Sequence, residues 1–397
     1  MSNIVANLNK SDVPGGVECC VLNMKQVVYK EHPYDIIRYN KDCAETMLLC
    51  KTIGHNSIGH FRSVIYSNGE VVCYAPPKSV DYDLFKKQIP LADIISIEEY
   101  VEGTMINVFW NGDKWEIATR SCVGGEVSFF SDETSPGTPT FRTMFLETII
   151  ENELKTQGKD FFQSLDEIPK TYCLSFVLQH PENRIVTPFA CPGLYLAKVY
   201  DLSEKGIVNE VSIPTVKNAL PDWVKIPKQL ESSVEELENI MSAGMNDYTV
   251  VGAMIYGLHR ESGLIVRTKI RNASYEKVRR IRGNQPKLKY RYLMLRCEEN
   301  LEQYLAYYPE HDVHFAIYEK QIRSFTNMLF SMYIECYIKK TAPLKNYSDK
   351  YRTHMYKLHD IYKTQLQSNN EYMRKKNVIK YVNNLHPSLL MHSINLD

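Results

Sequence analysis

The stretch Glu98-Glu99-Tyr100-Val101-Glu102-Gly103-Thr104 leads directly into Met105-Ile106-Asn107-Val108-Phe109-Trp110, and its reading decides the fold. Residues 105–110, the turn Asn111-Gly112-Asp113 and residues 114–119 read as a β-hairpin, two β-rich runs joined by a glycine-containing turn. Glu98-Glu99 reads as an exposed acidic edge. Position 100 holds a phenol, with an ordinary pKa of about 10 and no positive charge.

The strand-rich pattern extends to both sides. Residues 61–66 and 70–74 flank Asn68-Gly69, the signal of a tight hairpin turn. Residues 172–179, 194–200, 250–256 and 264–269 supply further strands. Helical spacing interrupts them at 141–155, with Phe141, Met144, Phe145, Ile149 and Leu154, and at 234–243. Another helix is expected over 39–52, where Ala44, Met47, Leu48 and Cys50 are apolar. Antiparallel hairpins with inserted helices make an α+β class.

The character changes after about Tyr290. Tyr318, Ile322, Phe325, Leu329, Met332 and Cys336 follow four- and three-residue steps, one face of a long helix. Residues 351–366 and 371–384 read as two more helices. The expected domains are 1–289, mixed, and 290–397, all-helical. The many tyrosines of the second domain read as core, and they leave a protein partner open for that domain.

A chain of 397 residues can bury the cores of two domains. Its formal net charge of +0 exerts no global pull on nucleic acid or membrane. Ten cysteines without a Cys-x-x-Cys argue against a zinc ribbon, and no metal is expected. They suit reduced thiols in a cytoplasmic compartment. The start lacks a basic region followed by an apolar run, and no apolar stretch spans a bilayer, so no membrane partner is expected.

Six short motifs stand in order: Phe61-Arg62-Ser63, Pro77-Lys78-Ser79, the Tyr100 segment, Ala118-Thr119-Arg120-Ser121, Phe176-Val177 through Pro181-Glu182-Asn183-Arg184-Ile185-Val186, and Val251-Gly252 followed by Lys269-Ile270-Arg271. Over roughly residues 50–275 this order resembles the phage-type RNA ligases of the covalent nucleotidyltransferase superfamily, and is similar to ligase-like proteins of large DNA viruses. The resemblance implies an RNA-ligase-like nucleotidyltransferase domain with antiparallel sheets, followed by an all-helical C-terminal domain. A viral setting would be the host cytoplasm, a viral factory or the virion.

Carried over position by position, the resemblance implies phosphate contacts from Arg62, Lys78, Arg120, Lys269 and Arg271. Strand alternation puts the last two on one face. Glu102 and Gly103 match the nucleophile motif. The family's nucleophilic lysine is Tyr100 here, and two of its glutamates, which hold the sugar and organise the metal, are Val177 and Val251. Magnesium needs oxygen ligands, and valine offers none.

The implied function is a defective RNA-ligase-like pseudoenzyme that still binds phosphate or nucleic acid. No cofactor is then expected, and ATP with magnesium would be used only if ligation survived. The alternatives are a structural or assembly protein that uses the fold for docking, and an active ligase with a non-lysine nucleophile. Between Arg260 and Arg296 basic residues outnumber acidic ones heavily. Lys277, Arg279, Arg280, Arg282, Lys287 and Lys289, interleaved with Tyr275, Tyr290 and Tyr292, are the candidate RNA-binding residues.

Overall fold

The computed structural model describes residues 3–8, 21–42, 52–53, 56–129, 138–244, 246–261 and 263–395. Among these, a first compact unit ends at Arg280 and a second starts at Ile281.

The first unit contains strands β1 (Asn3–Asn7), β2 (Leu22–Tyr29), β3 (His32–Tyr39), β4 (Thr52–Ile53), β5 (Asn56–Ser57), β6 (Val64–Ser67), β7 (Glu70–Tyr74), β8 (Ile94–Glu99), β9 (Thr104–Trp110), β10 (Trp115–Ala118), β11 (Tyr172–Gln179), β12 (Gly193–Asp201), β13 (Ile207–Val211), β14 (Gly252–His259) and β15 (Leu264–Arg271). Helices α1 (Tyr82–Gln88), α2 (Phe141–Thr156), α3 (Phe161–Leu165), α4 (Ile213–Lys217), α5 (Val234–Ser242) and α6 (Ala273–Arg282) connect or follow them, the last two residues of α6 falling in the second unit. The strands form a six-stranded sheet, β1-β13-β12-β11-β9-β10, a four-stranded sheet, β2-β3-β6-β7, a three-stranded sheet, β15-β14-β8, and the short ladder β4-β5. Adjacent strands run antiparallel.

Alternation explains how these layers are held. Leu174, Phe176 and Leu178 of β11 share one face with Met144, Phe145 and Ile149 of α2 and Phe161 and Leu165 of α3. Each such side chain, fully buried, contributes roughly 1.5–3 kcal/mol. Cys173, one residue out of step, packs instead with Tyr34, Ile36, Ile65 and Cys73 of the four-stranded sheet. In the three-stranded sheet, Ile97, Ala253, Ile255, Val266 and Ile270 are covered by α1 and α5 through Phe85, Ile89, Val234, Leu237 and Met241. The opposite face is polar, with Glu98, Tyr256, Arg267, Lys269 and Arg271 in alternate positions.

Buried Lys198 of β12 ties that polar face to the six-stranded sheet. Its Nζ lies 2.8 Å from Glu210 Oε1, 3.9 Å from Glu98 Oε1 and 4.1 Å from the Tyr256 ring centroid. Glu98 is therefore not an exposed edge but buried. Its partners Lys198 and Gln229 come from distant parts of the chain.

The helix expected over 39–52 is corrected at both ends, because Tyr39 closes β3 and Thr52 opens β4; residues 43–51 lie outside the described residues. β2 and β3 are joined by the two-residue turn Lys30-Glu31, with φ of 49° and 69°. That positive-φ geometry usually draws Asn-Gly, which this hairpin lacks.

The second unit is helical: α7 (Leu288–Cys297), α8 (Leu301–Tyr307), α9 (Asp312–Tyr333), α10 (Asp349–Ile361), α11 (Lys375–Asn383) and α12 (Pro387–Asn395). The α9 face buries Tyr318, Ile322, Phe325 and Leu329 as the spacing predicts, together with Phe315; at its end Tyr333 is buried in place of the expected Met332, and buried Cys336 lies in the wider turn Ile334–Ile338 that follows α9. Tyr304 stacks on Tyr308 and on Phe315, with centroids 4.8 and 5.4 Å apart. The helix expected from 371 starts at Lys375; residues 371–374 follow Asn370, which is left-handed at φ 54° and ends the preceding turn. No helix among the described residues is long and apolar enough to cross a membrane.

Candidate anion-binding site

The link 100–103 joins β8 of the three-stranded sheet to β9 of the six-stranded sheet. Tyr100 therefore sits where the two sheets meet. Its N–H donates to the Gly252 carbonyl at 3.0 Å, and Gly252 pairs with Arg271 in the β14–β15 ladder. The two side chains that alternate on β15, Lys269 and Arg271, both reach the Tyr100 ring. Lys269 Nζ is 5.9 Å and Arg271 Cζ 5.7 Å from its centroid.

These groups set one another's protonation. Burial pushes the Tyr100 phenol up, but Lys269, Arg271 and Arg62, with a hydrogen bond from Arg271, hold it below its ordinary value. Burial lowers the Lys269 ammonium to about 8; Tyr100 opposes this, while Arg271, Lys78 and Arg62 add to it. Burial and the nearby charges of Arg267 and Arg120 bring Arg62 down to about 10, against Tyr39 and Tyr100. Burial lowers Arg271, yet Tyr100 and Glu276 reverse the balance and raise it.

Arg120 lies beside Arg62, donating from Nε to the Arg62 carbonyl at 3.2 Å, and its guanidinium lies 4.8 Å from the Tyr39 ring centroid. Arg38, on β3, is lowered by burial and by Arg120, so it adjoins the same group. Nothing in the sequence marks Arg38, and Arg267 stands there only as a member of the basic run, without a place at the site. Arg267 was within reach, since alternation places it on the face of Lys269 and Arg271. It serves as a strut, donating to the Pro77 and Pro76 carbonyls at 2.7 and 3.2 Å. Pro76 and Pro77 immediately precede Lys78, whose Nζ donates to the Ser79 carbonyl at 2.9 Å.

The motif carboxylate is engaged with backbone. Glu102 is buried and accepts from Val186 N at 2.8 Å, from Thr187 N at 3.2 Å and from Thr187 Oγ1 at 3.0 Å. It ties the 185–187 loop to the link and does not counter the cations around Tyr100. Arg184 closes the same loop, with Nε donating to the Val186 carbonyl at 3.0 Å. Gly103 has φ +151°, and a Cβ there would stand 2.4 Å from the Leu178 carbonyl oxygen and 2.7 Å from Val177 Cγ1. Glycine is required at this close approach.

Val177 and Val251 are buried, 8% and 7% exposed. Both adjoin the link: Val177 meets Gly103, and Val251 precedes the glycine that accepts from Tyr100. A divalent ion does not fit this donor set. Cations face Tyr100, Glu102 is engaged, and the two further positions are hydrocarbon. Among the described residues, no three His, Cys, Asp or Glu side chains group as metal ligands.

The basic run divides. On α6, Lys277 and Arg280 are exposed, while Arg279 pairs with Glu276 at 3.0 Å. Arg282 is half-buried and donates to the Gly283 carbonyl at 3.3 Å. In the second unit, Lys287 is exposed, but Lys289 is buried and donates to Asn395 Oδ1 at 2.6 Å. Tyr275 and Tyr292 are buried, on the inner faces of amphipathic helices, and present no free ring to a base.

No family model and no curated protein matches this chain. Among solved structures it is similar to an RNA ligase of Naegleria gruberi. With PPi bound, that ligase is 11% identical, the match covers 64% of this chain and 76% of that chain, and the TM-score is 0.33. For a mutant with AMP and Mn the figures are 11%, 64%, 76% and 0.34. For a mutant with ATP and Mn they are 9%, 65%, 76% and 0.34.

Proposed function

We propose that the first unit is an RNA-ligase-like nucleotidyltransferase fold whose catalytic centre has become a phosphate-binding site for nucleic acid or nucleotide, without covalent adenylylation. One observation carries this reading: Lys269 and Arg271 converge on Tyr100, with Arg62 beside them, at the link that adjoins buried Val177 and Val251. Phosphoamide formation needs an amine nucleophile at position 100 and a metal to offset the triphosphate charge. The site has neither the amine there nor the oxygens to hold the metal. Arg271 is already paired with Glu276 at 2.5 Å, and the remaining positive charge of Lys269, Arg62 and Arg271 suits a phosphate group instead. Exposed Lys277 and Arg280 supply further contacts to a nucleic-acid backbone.

The test combines two assays on the full chain. Labelled ATP with magnesium or manganese leaves no protein–AMP adduct. A 5′-phosphorylated single-stranded RNA binds with an affinity that falls with salt, by about 0.7 in log–log slope for each phosphate neutralised. A stable AMP adduct on Tyr100 or on a lysine restores the active-ligase reading. Binding of a protein partner that ignores salt, without RNA affinity, favours a docking scaffold.

A further inference from the structure

The second unit holds a cleft of about 590 Å³ along α9, bounded by α7, α8 and α11. That is the size of a small-molecule site, roughly 300–1,000 Å³. Its lining on α9 runs from Asp312 to Asn327, about 22 Å of helix. The floor includes Tyr292 and Phe315, whose rings pack on each other with centroids 5.0 Å apart and are both buried. Aliphatic walls come from Leu301, Leu305, Ala316 and Ile379, the last of these 41% exposed. Thr326 also lines the cleft, and its hydroxyl is satisfied within α9, donating to the Ile322 carbonyl at 2.7 Å. The charged groups are Arg296, Arg323 and Lys375 against Asp312 and Glu319. Glu319 neutralises Arg323 at 2.5 Å. Asp312 lies about 16 Å along α9 from Arg323. Arg296 donates to the side-chain oxygen of Asn383, a neutral acceptor that leaves its charge in place. The Tyr292 hydroxyl marks the same end of the cleft, since the charges that face it are Arg296, Glu319 and Arg323.

We propose that this cleft binds a single-chain amphiphile with an anionic head, its alkyl chain laid along α9 and its head held by Arg296. Aliphatic walls recognise apolar surface without directional contacts, and an elongated cleft suits a flexible chain. A planar ring would ask for an aromatic face to stack on, and the rings of Tyr292 and Phe315 are already buried against each other. Each methylene the cleft takes out of water strengthens binding about fourfold. The sign of the head follows from the rim. The planar fork of Arg296 matches the oxygens of a carboxylate or phosphate, and only one of its arms is engaged by Asn383. Lys375, exposed on α11, adds a second positive charge. A cationic head would be repelled by both, and a neutral head would leave Arg296 without a counter-charge. Two sources present this chemistry: a fatty carboxylate and an alkyl phosphate. The cleft belongs wholly to the second unit, so the inference stands apart from the phosphate-binding reading of the first.

The experiment titrates the full chain in a calorimeter with dodecanoate and, in a parallel arm, with dodecyl phosphate, each below its micelle concentration. Saturable binding of one molecule per chain is expected, with dodecanol weaker by about tenfold or more and dodecyltrimethylammonium weaker still. The tighter of the two anions assigns the source. Arg296→Gln should bring the anion down to the affinity of dodecanol. Ala316→Trp, at an exposed position that lines the cleft, should abolish binding while helical circular dichroism and the urea midpoint stay at wild type. Equal affinities for dodecanoate, dodecanol and dodecyltrimethylammonium overturn the anionic head, and binding that survives Ala316→Trp overturns the cleft as its place. Absence of saturable binding overturns the ligand class altogether; a dimer in sedimentation that Ala316→Trp dissociates would then give the cleft to a second copy of the chain.

Discussion

Tyr100 donates its N–H to the carbonyl of Gly252 at 3.0 Å, and this bond fixes the link between two sheets to the strand end that carries Val251. The same link touches Val177 through Gly103. Three residues far apart in sequence thus adjoin one short segment. A change of chemistry at that segment involves all three.

The closest of these contacts gives the first prediction. Gly103→Ala places a methyl against the Leu178 carbonyl at a positive φ that alanine avoids. The backbone strain alone costs about 1–3 kcal/mol, and relief of the clash adds to it. Urea unfolding should show a midpoint well below wild type. An unchanged midpoint would mean the link does not pack on β11 as described.

Lys198 joins the polar faces of two sheets through Glu210 and Glu98. Lys198→Ala leaves two carboxylates, one of them buried, without their cation, at a cost of about 3–5 kcal/mol. Lys198→Met with Glu98→Gln removes the cation and the charge of the buried carboxylate together and should recover much of the loss. Equal stability of the single and double variants would argue against the ionic tie.

Some of this fold is legible in the sequence and some is not, for identifiable reasons. The β6–β7 hairpin announces itself because Asn68-Gly69 supplies the positive φ values, 51° and 83°, that its turn requires. The β2–β3 hairpin needs the same geometry but uses Lys30-Glu31, and β2 is largely exposed, so neither turn chemistry nor apolar pattern marks it. Long α9 was readable from its buried stripe. The burial of Glu98 was not, because its counter-charge Lys198 comes from a strand remote in sequence. At the site, alternation on β15 pairs Lys269 with Arg271, whereas Arg38 lies on a strand that sequence reading missed.

The helical unit carries its own pH signature. His354 is buried, with Nδ1 2.8 Å from the Tyr381 hydroxyl and Nε2 2.8 Å from Ser393 Oγ. Burial first, then Lys357, lowers its pKa from 6.5 to about 4. The unfolded chain therefore binds a proton more readily than the folded one between these values. The stabilisation is full above about pH 6.5 and is lost as pH falls toward 4, on the order of 3 kcal/mol. Helical circular dichroism followed through urea unfolding should show that slope, and His354→Gln should flatten it. A variant that keeps the wild-type slope would place the titration elsewhere.

The exposed cations of α6 contact backbone phosphate if the chain binds RNA. Arg280→Glu with Lys277→Glu should weaken RNA binding alike for all sequences and reduce the salt slope, without changing the unfolding midpoint by more than about 0.5 kcal/mol. Unaltered RNA affinity in this variant would remove α6 from the interface.

The central claim is that the cations around Tyr100 hold phosphate. Its most direct measurement is the affinity of a 5′-phosphorylated single-stranded RNA over a salt series, for wild type and for Arg62→Ala with Arg271→Ala. Binding should weaken steeply with salt in wild type, and the double variant should lose about 2–4 kcal/mol of affinity at low salt along with part of the slope. Identical affinities and slopes for the two proteins would contradict it.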